Sequence, residues 1–224
     1  MARALLFDLD GTLADTAPDL SRALNRTLQA LDCATVSLEE VRRWIGDGTE
    51  NLLKRAISKT LDRQVDVDLI DRGVGLFDVY YSESVWVKSV CYPGVLNGLS
   101  ELKRLGFKLA CVTNKPRSFS SEVLKQSGLD VFFDVVVAGN DLSERKPSPM
   151  PLLYATQQLE LGSRECIVIG DSTNDTEAAL KAGMMVLLVT WGYHQDMELS
   201  QMGATQLIQK FSDISDLVIC HNRR

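Results

Sequence analysis

Histidine is almost missing from this chain, with two in 224 residues. That scarcity argues against a histidine-based metal centre or a Ser-His-Asp triad. Cysteine is no better placed for such work. Cys33, Cys91, Cys111, Cys166 and Cys220 make an odd count with no paired spacing. Cys111 and Cys166 sit inside apolar runs, so we expect reduced thiols of a cytoplasmic protein rather than a disulfide framework. No apolar run approaches the roughly 18 residues that cross a bilayer. The chain enters a strand pattern at Ala4, which leads us to expect no secretory leader. Positive charge is also short: 24 Lys and Arg face 30 Asp and Glu, for a net charge of −6. General binding to nucleic acid or an anionic membrane is disfavoured on that ground.

What is present is a 45% hydrophobic composition, enough for one large domain or a core with a smaller unit attached. Short apolar runs recur at Ala4–Phe7, Leu109–Val112, Val135–Val137, Ile167–Ile169 and Val186–Val189. Helical patterns lie between them. Val95, Leu96, Leu99, Leu102 and Leu105 share one face before Gly106; Ser118–Gln126 precedes Gly128; Thr173–Lys181 precedes Gly183. Strand–helix alternation of this kind predicts a doubly wound parallel α/β sheet covered on both faces.

Residues 16–89 break that rhythm. Ala17, Leu20, Leu24, Thr27, Leu28 and Leu31 fall on one helical stripe, and Leu52, Leu53, Ala56, Ile57 and Leu61 on another. Leu69, Ile70, Val74, Phe77, Val79 and Tyr80 suggest one or two more. The expected layout is an α/β core from 1–15 and 90–224 with an inserted all-helical unit at 16–89. Pro93-Gly94 marks the return to the sheet.

Three polar signals each follow a different strand: Asp8-Leu9-Asp10-Gly11-Thr12, Thr113-Asn114-Lys115 and Gly170-Asp171-Ser172-Thr173-Asn174-Asp175. In an open parallel sheet ligands bind beyond the carboxyl ends of the strands, so all three fall at one edge. Asp8 and Asp10 are like charges two residues apart and need a cation or a shared proton. Lys146, ahead of Pro147-Ser148-Pro149, is read as pointing into the same crevice. Four carboxylates against that one ammonium leave three net negative charges, too many for a phosphate dianion. A single Mg²⁺, which prefers oxygen ligands, offsets two of them. Gly11 and Thr12 read equally well as turn and cap residues or as phosphate contacts, and Asp15 as a helix-start residue.

Asp8-x-Asp10, Thr113, Lys146 and Asp171-x-x-x-Asp175, in this order and spacing, resemble the haloacid dehalogenase superfamily of phosphotransferases over almost the whole chain. The resemblance implies Asp8 as nucleophile, forming an aspartyl-phosphate, and Asp10 as general acid and then base. It implies phosphoryl binding by Thr113, Asn114, Lys146 and the backbone N–H groups of Leu9 and Asp10. Mg²⁺ would be held by Asp8, the Asp10 carbonyl, Asp171 and, directly or through water, Asp175. The carboxylate at Asp10 favours phosphoryl transfer over dehalogenation. The loop Trp44-Ile45-Gly46-Asp47-Gly48-Thr49, together with Tyr92-Pro93-Gly94-Val95 and Trp191-Gly192-Tyr193, resembles the bacterial phosphoglycolate phosphatase family. Gly46 and Gly48 would then lie in a helical cap over the crevice.

These resemblances imply a phosphomonoesterase acting on a small phosphorylated metabolite, 2-phosphoglycolate first. Alternatives are another small phosphate (a sugar phosphate or pyrophosphate), a phosphosugar mutase, a phosphonate-cleaving enzyme and a catalytically silent phosphate-binding regulator. The protein is expected as a monomer or homodimer.

Overall fold

The computed structural model describes residues 1–60, 66–194 and 197–223. Leu61, placed above on a helical stripe, lies outside them. Six strands run parallel: β1 (Ala4–Phe7), β4 (Lys108–Val112), β5 (Val135–Val137), β6 (Cys166–Gly170), β7 (Met185–Val189) and β8 (Gln206–Ile208), in the order β5-β4-β1-β6-β7-β8. β1 is central, with Phe7 beside Cys111 on one flank and Ile169 on the other.

Alternation along these strands builds two cores. Leu5, Phe7, Leu109, Cys111, Ile167 and Ile169 face one side, and Ala4, Leu6, Ala110, Val112, Cys166 and Val168 the other. The first side is covered by α5 (Val95–Arg104), α6 (Arg117–Ser127) and α9 (Asp213–Asn222), which contribute Leu99, Val123 and Ile214. The second is covered by α7 (Met150–Gln158) and α8 (Thr173–Lys181) through Leu152, Ala155 and Ala178. Helices on both faces explain why each strand reads as a continuous apolar run. Cys33, Cys111 and Cys166 are buried free thiols, Cys91 is half-buried and Cys220 exposed. Among the described residues no helix is long and apolar enough to cross a membrane.

Between residues 16 and 89 lie α1 (Ala17–Ala30), α2 (Leu38–Trp44), α3 (Thr49–Thr60) and α4 (Val67–Ser82). Their apolar stripes are buried where the periodicity places them: Leu20, Leu24 and Leu28 on α1, Leu53, Ala56 and Ile57 on α3. α4 buries Ile70, Phe77 and Tyr81, while Val79 stays exposed. Ser37 and Glu40 form a capping box that starts α2. The chain leaves and re-enters the sheet region through two short antiparallel strands, β2 (Ala14–Asp15) and β3 (Val90–Cys91). This crossing is stitched by Asp19, a fully buried carboxylate on α1 that accepts hydrogen bonds from the Lys88 and Ser89 N–H groups and the Ser89 hydroxyl. The pairing precedes Pro93-Gly94, the return point expected from sequence.

Candidate active site

Three motif residues stand just past the carboxyl ends of parallel strands. Asp8 follows β1, Thr113 follows β4 and Asp171 follows β6. Main-chain pairing continues one residue beyond the strands. Asp8 N–H donates to the Ile169 carbonyl and Thr113 N–H to the Val137 carbonyl, each at 2.9 Å. A cavity of about 50 Å³, open to solvent, is lined by Asp8, Asp10, Thr113, Asn114, Lys146 and the α2–α3 loop at Gly46 and Gly48. Leu9 is fully buried between the two acids.

Lys146, in the β5–α7 loop, is buried as expected of a site residue. Its ammonium donates to Asp175 Oδ1 at 2.6 Å and the Val112 carbonyl at 2.7 Å, and sits 2.8 Å from Asp8 Oδ1. The Asp8 contact is ionic but off the hydrogen-bonding direction, so Asp8 Oδ1 is a buried acceptor without a hydrogen bond. Burial pushes Asp8 up to about 6; Lys146 pulls the other way, and Asp175 and Asp10 add to the rise. Burial also disfavours the Lys146 ammonium, but Asp175 and Asp8 outweigh it and hold its pKa above the ordinary lysine value.

Asp171 is held by the Thr12 hydroxyl on Oδ1 at 2.8 Å and by Tyr193 N–H on Oδ2 at 2.7 Å. Burial, with Asp8 and Asp175 nearby, raises its pKa well above the ordinary carboxylate value. Thr12 is thus a brace for Asp171. Gly11 has φ of +90°, and a Cβ there would fall 2.2 Å from Asp171 Oδ2, so both backbone and space require glycine. Asp175, in the first turn of α8, has its carboxylate taken up. Oδ2 accepts from Asp171 N–H, Ser172 N–H and the Ser172 hydroxyl, and Oδ1 from Lys146.

Ligand oxygens of Asp8, Asp171 and Asp175 lie within 4.8 Å of one another. Three clustered carboxylates, two with raised pKa values and one with an orphaned buried oxygen, fit a hard divalent cation.

Asp10 has its own partners outside this cluster. Oδ1 accepts the Thr16 hydroxyl at 2.6 Å, and Lys115 Nζ lies 3.2 and 3.1 Å from its two oxygens. Lys115 entered the sequence reading only as a member of a motif, with no role. Its side chain is 3% exposed, which a lysine beside a conspicuous Thr-Asn pair does not advertise. Asn114 Nδ2 donates to the carbonyls of Gly46 and Lys146, tying the α2–α3 loop to the strand ends. Asn174 does the same through Gly46 O at 3.3 Å and Asp47 Oδ1 at 2.7 Å. Asp15 also bridges: it accepts from Ala17 N–H at the start of α1, from Tyr193 Oη and from Arg42 on α2.

A parallel sheet that gathers carboxylates and buried ammonium groups at its carboxyl edge is the architecture of an α/β enzyme with its chemistry at that edge. The sequence pattern described as haloacid dehalogenase-like hydrolase matches residues 5–189, and the chain belongs to that family. A phosphoglycolate phosphatase of Nitrosospira multiformis is 41% identical over 220 residues, 94% of this chain and 97% of that one. One from Colwellia psychrerythraea is 39% identical over 94% of both chains. The crystal structure of a predicted phosphoglycolate phosphatase from Haemophilus somnus 129pt superposes with a TM-score of 0.93. It is 32% identical and covers 97% of this chain and 98% of that one. Hydrolases of this family generally use a divalent metal, and the carboxylate cluster is where one fits.

Proposed function

We propose that this protein is a Mg²⁺-dependent phosphomonoesterase that hydrolyses 2-phosphoglycolate to glycolate and phosphate. The observation that carries this reading is the division of labour between the two motif acids: Asp8 sits against Lys146 and the acidic cluster, Asp10 against Thr16 and Lys115. The relatives' activity and the enclosure of the cavity by the Gly46–Thr49 loop support the substrate.

Asp8 attacks phosphorus in line and becomes an aspartyl-phosphate. Asp10 gives a proton to the departing alkoxide and later takes one from water. Thr113, Lys146 and the N–H groups at Leu9 and Asp10 hold the phosphoryl oxygens. Asp8, the Asp10 carbonyl and Asp171 would hold Mg²⁺. Asp175 stands behind them, its four hydrogen bonds fixing the loop and Lys146. Bound Mg²⁺ supplies charge neutralisation for the phosphoryl group. Lys115 raises the ammonium count to two against four carboxylates, so one divalent cation brings the site to neutrality before substrate arrives. Residues 16–89 act as the cap over a core of 1–15 and 90–224, excluding water and selecting the leaving group. The site lies in a cytoplasmic protein.

The test is kcat/KM across a panel of phosphate esters, each with Mg²⁺ and with EDTA. Phosphoglycolate is expected to exceed p-nitrophenyl phosphate by orders of magnitude, and chelation to stop turnover until Mg²⁺ is restored. Equal rates on the two esters would overturn the substrate; unaltered rates in EDTA would overturn the metal.

A further inference from the structure

Lys115 is a buried cation that the aspartate chemistry alone does not require. Its ammonium has one carboxylate partner, Asp10, and otherwise faces the Tyr81 ring, 4.8 Å from the centroid. Lys146 differs: its protons are committed to Asp175, the Val112 carbonyl and the Asp8 side of the site. Among the described residues lining the cavity, these two lysines are the only cations. Arg145 is exposed and lines not this cavity but an adjoining groove that shares Gly48, Thr49, Asn114 and Pro116 with it.

Position makes Lys115 more than a spare charge. A proton donor must stand about 3 Å from the oxygen it protonates. Lys115 Nζ is 3.1 Å from Asp10 Oδ2, so it lies within about 6 Å of wherever the leaving oxygen sits. In an O–CH₂–COO⁻ group, bond lengths near 1.5 Å put the carboxylate oxygens within about 3.5 Å of the ester oxygen. A charge-assisted N–H···O contact spans about 2.8 Å. A carboxylate one carbon from the ester oxygen therefore reaches Lys115 while the ester oxygen meets Asp10. Around this point the walls are apolar, with Leu20, Ile45, Leu52 and Phe77. An anion there has little competition from water, and Lys115 is the cation the cavity offers it.

We propose that Lys115 is the specificity-determining residue for the leaving group, binding an α-carboxylate and so selecting short carboxylate-bearing phosphate esters over neutral ones. This rests on the phosphomonoesterase reading given above. No bond is made or broken at Lys115; it acts by ion pairing alone.

The experiment compares two esters of one size, 2-phosphoglycolate and 2-hydroxyethyl phosphate, on the full-length Mg²⁺-loaded enzyme. Its readout is the ratio of their kcat/KM values, which does not depend on the fraction of folded protein. The wild type is expected to favour the carboxylate strongly. Lys115→Met, and Lys115→Gln as a second variant, are expected to lower that ratio by about 10- to 100-fold, the range of a lost charge-assisted hydrogen bond. Lys115→Arg is expected to recover part of it. An unchanged ratio in both neutral variants, with the wild-type preference intact, overturns the role of Lys115 and leaves the phosphoglycolate reading standing. A wild-type ratio near one overturns both.

Discussion

At the strand ends, Asp8 and Thr113 are positioned by N–H bonds to the neighbouring strands, and their side chains barely choose where they point. The α2–α3 loop reaches the same cavity differently. It has left-handed glycines, φ +120° at Gly46 and +85° at Gly48, and side-chain bonds from Asn114 and Asn174. One side of the crevice is built on a rigid sheet and the other on a few polar ties across a gap. Chemistry is fixed on the first side, and selectivity is free to vary on the second. The sheet edge tolerates no displacement of a nucleophile, while a loop fastened by two asparagines can be re-tied without disturbing the reaction.

The largest effect should come from the sheet side. Asp8→Asn removes the proposed nucleophile and is expected to lower kcat by at least about 10⁴-fold. The carboxylate it removes is one that burial already disfavours, and Lys146 keeps Asp175 as a partner. Circular dichroism and the unfolding midpoint should therefore stay close to wild type. An Asp8→Asn enzyme that still turned over would remove Asp8 from the role and erase the contrast between the two sides.

A smaller effect is expected from the loop. Asn174→Ala loses its bonds to Gly46 O and Asp47 Oδ1, while Asn114 still holds Gly46 O. Stability should fall by about 1 kcal/mol. KM for phosphoglycolate should rise several-fold with a smaller change in kcat if, as proposed, the loop covers the leaving group and not phosphorus. A loss in kcat matching that of a catalytic acid would mean the loop shapes the reaction and not only the binding.

The same contrast governs how much could be read from sequence. Strands buried on both faces declare themselves as apolar runs, and β1 and β5 begin and end where those runs do. β8 escaped because it is three residues long at the sheet edge, with Gln206 and Leu207 exposed and only β7 to pair with. α9 escaped because its apolar stripe is short, burying just Ile214 and Val218. β2 and β3 have two residues each and exist through tertiary pairing alone. In the candidate site, Asp8, Asp10, Asp171 and Asp175 stand out in sequence because carboxylates after apolar strands are out of place, and Thr113 and Lys146 stand out only beside them. Lys115 does not, because the depth of a lysine depends on Asp10 and Tyr81, which are 105 and 34 residues away in sequence. Thr12 was equally open to a cap or a phosphate contact until its bond to Asp171 was seen.

The smallest expected effects are electrostatic and have opposite signs in the two regions. In the β5–α7 loop of the sheet region, burial pushes Asp141 up, but the Arg117 guanidinium and Ala138 N–H outweigh it and hold its pKa below the usual carboxylate value. A depressed folded pKa contributes stability that is present above the unfolded value near 3.9 and lost as pH falls through the folded one. On α4, burial raises the pKa of Asp78. Its ionisation opposes folding, so the stability tied to its protonated form is full below the unfolded value and lost as pH rises through the folded one. Both carboxylates are partly solvated, which keeps the shifts in midpoint to a few degrees at most. Asp141→Asn should lower the thermal midpoint at pH 7, by a margin that narrows as pH falls below about 3.9. Asp78→Asn should raise it at pH 7 and converge on wild type in the same acidic range. Midpoints of the two variants measured from pH 3 to 7 check the pair. Slopes of one sign for both would mean that the charge environment is uniform across the molecule, and that the sheet edge and the α1–α4 helices do not differ in how they hold their acids.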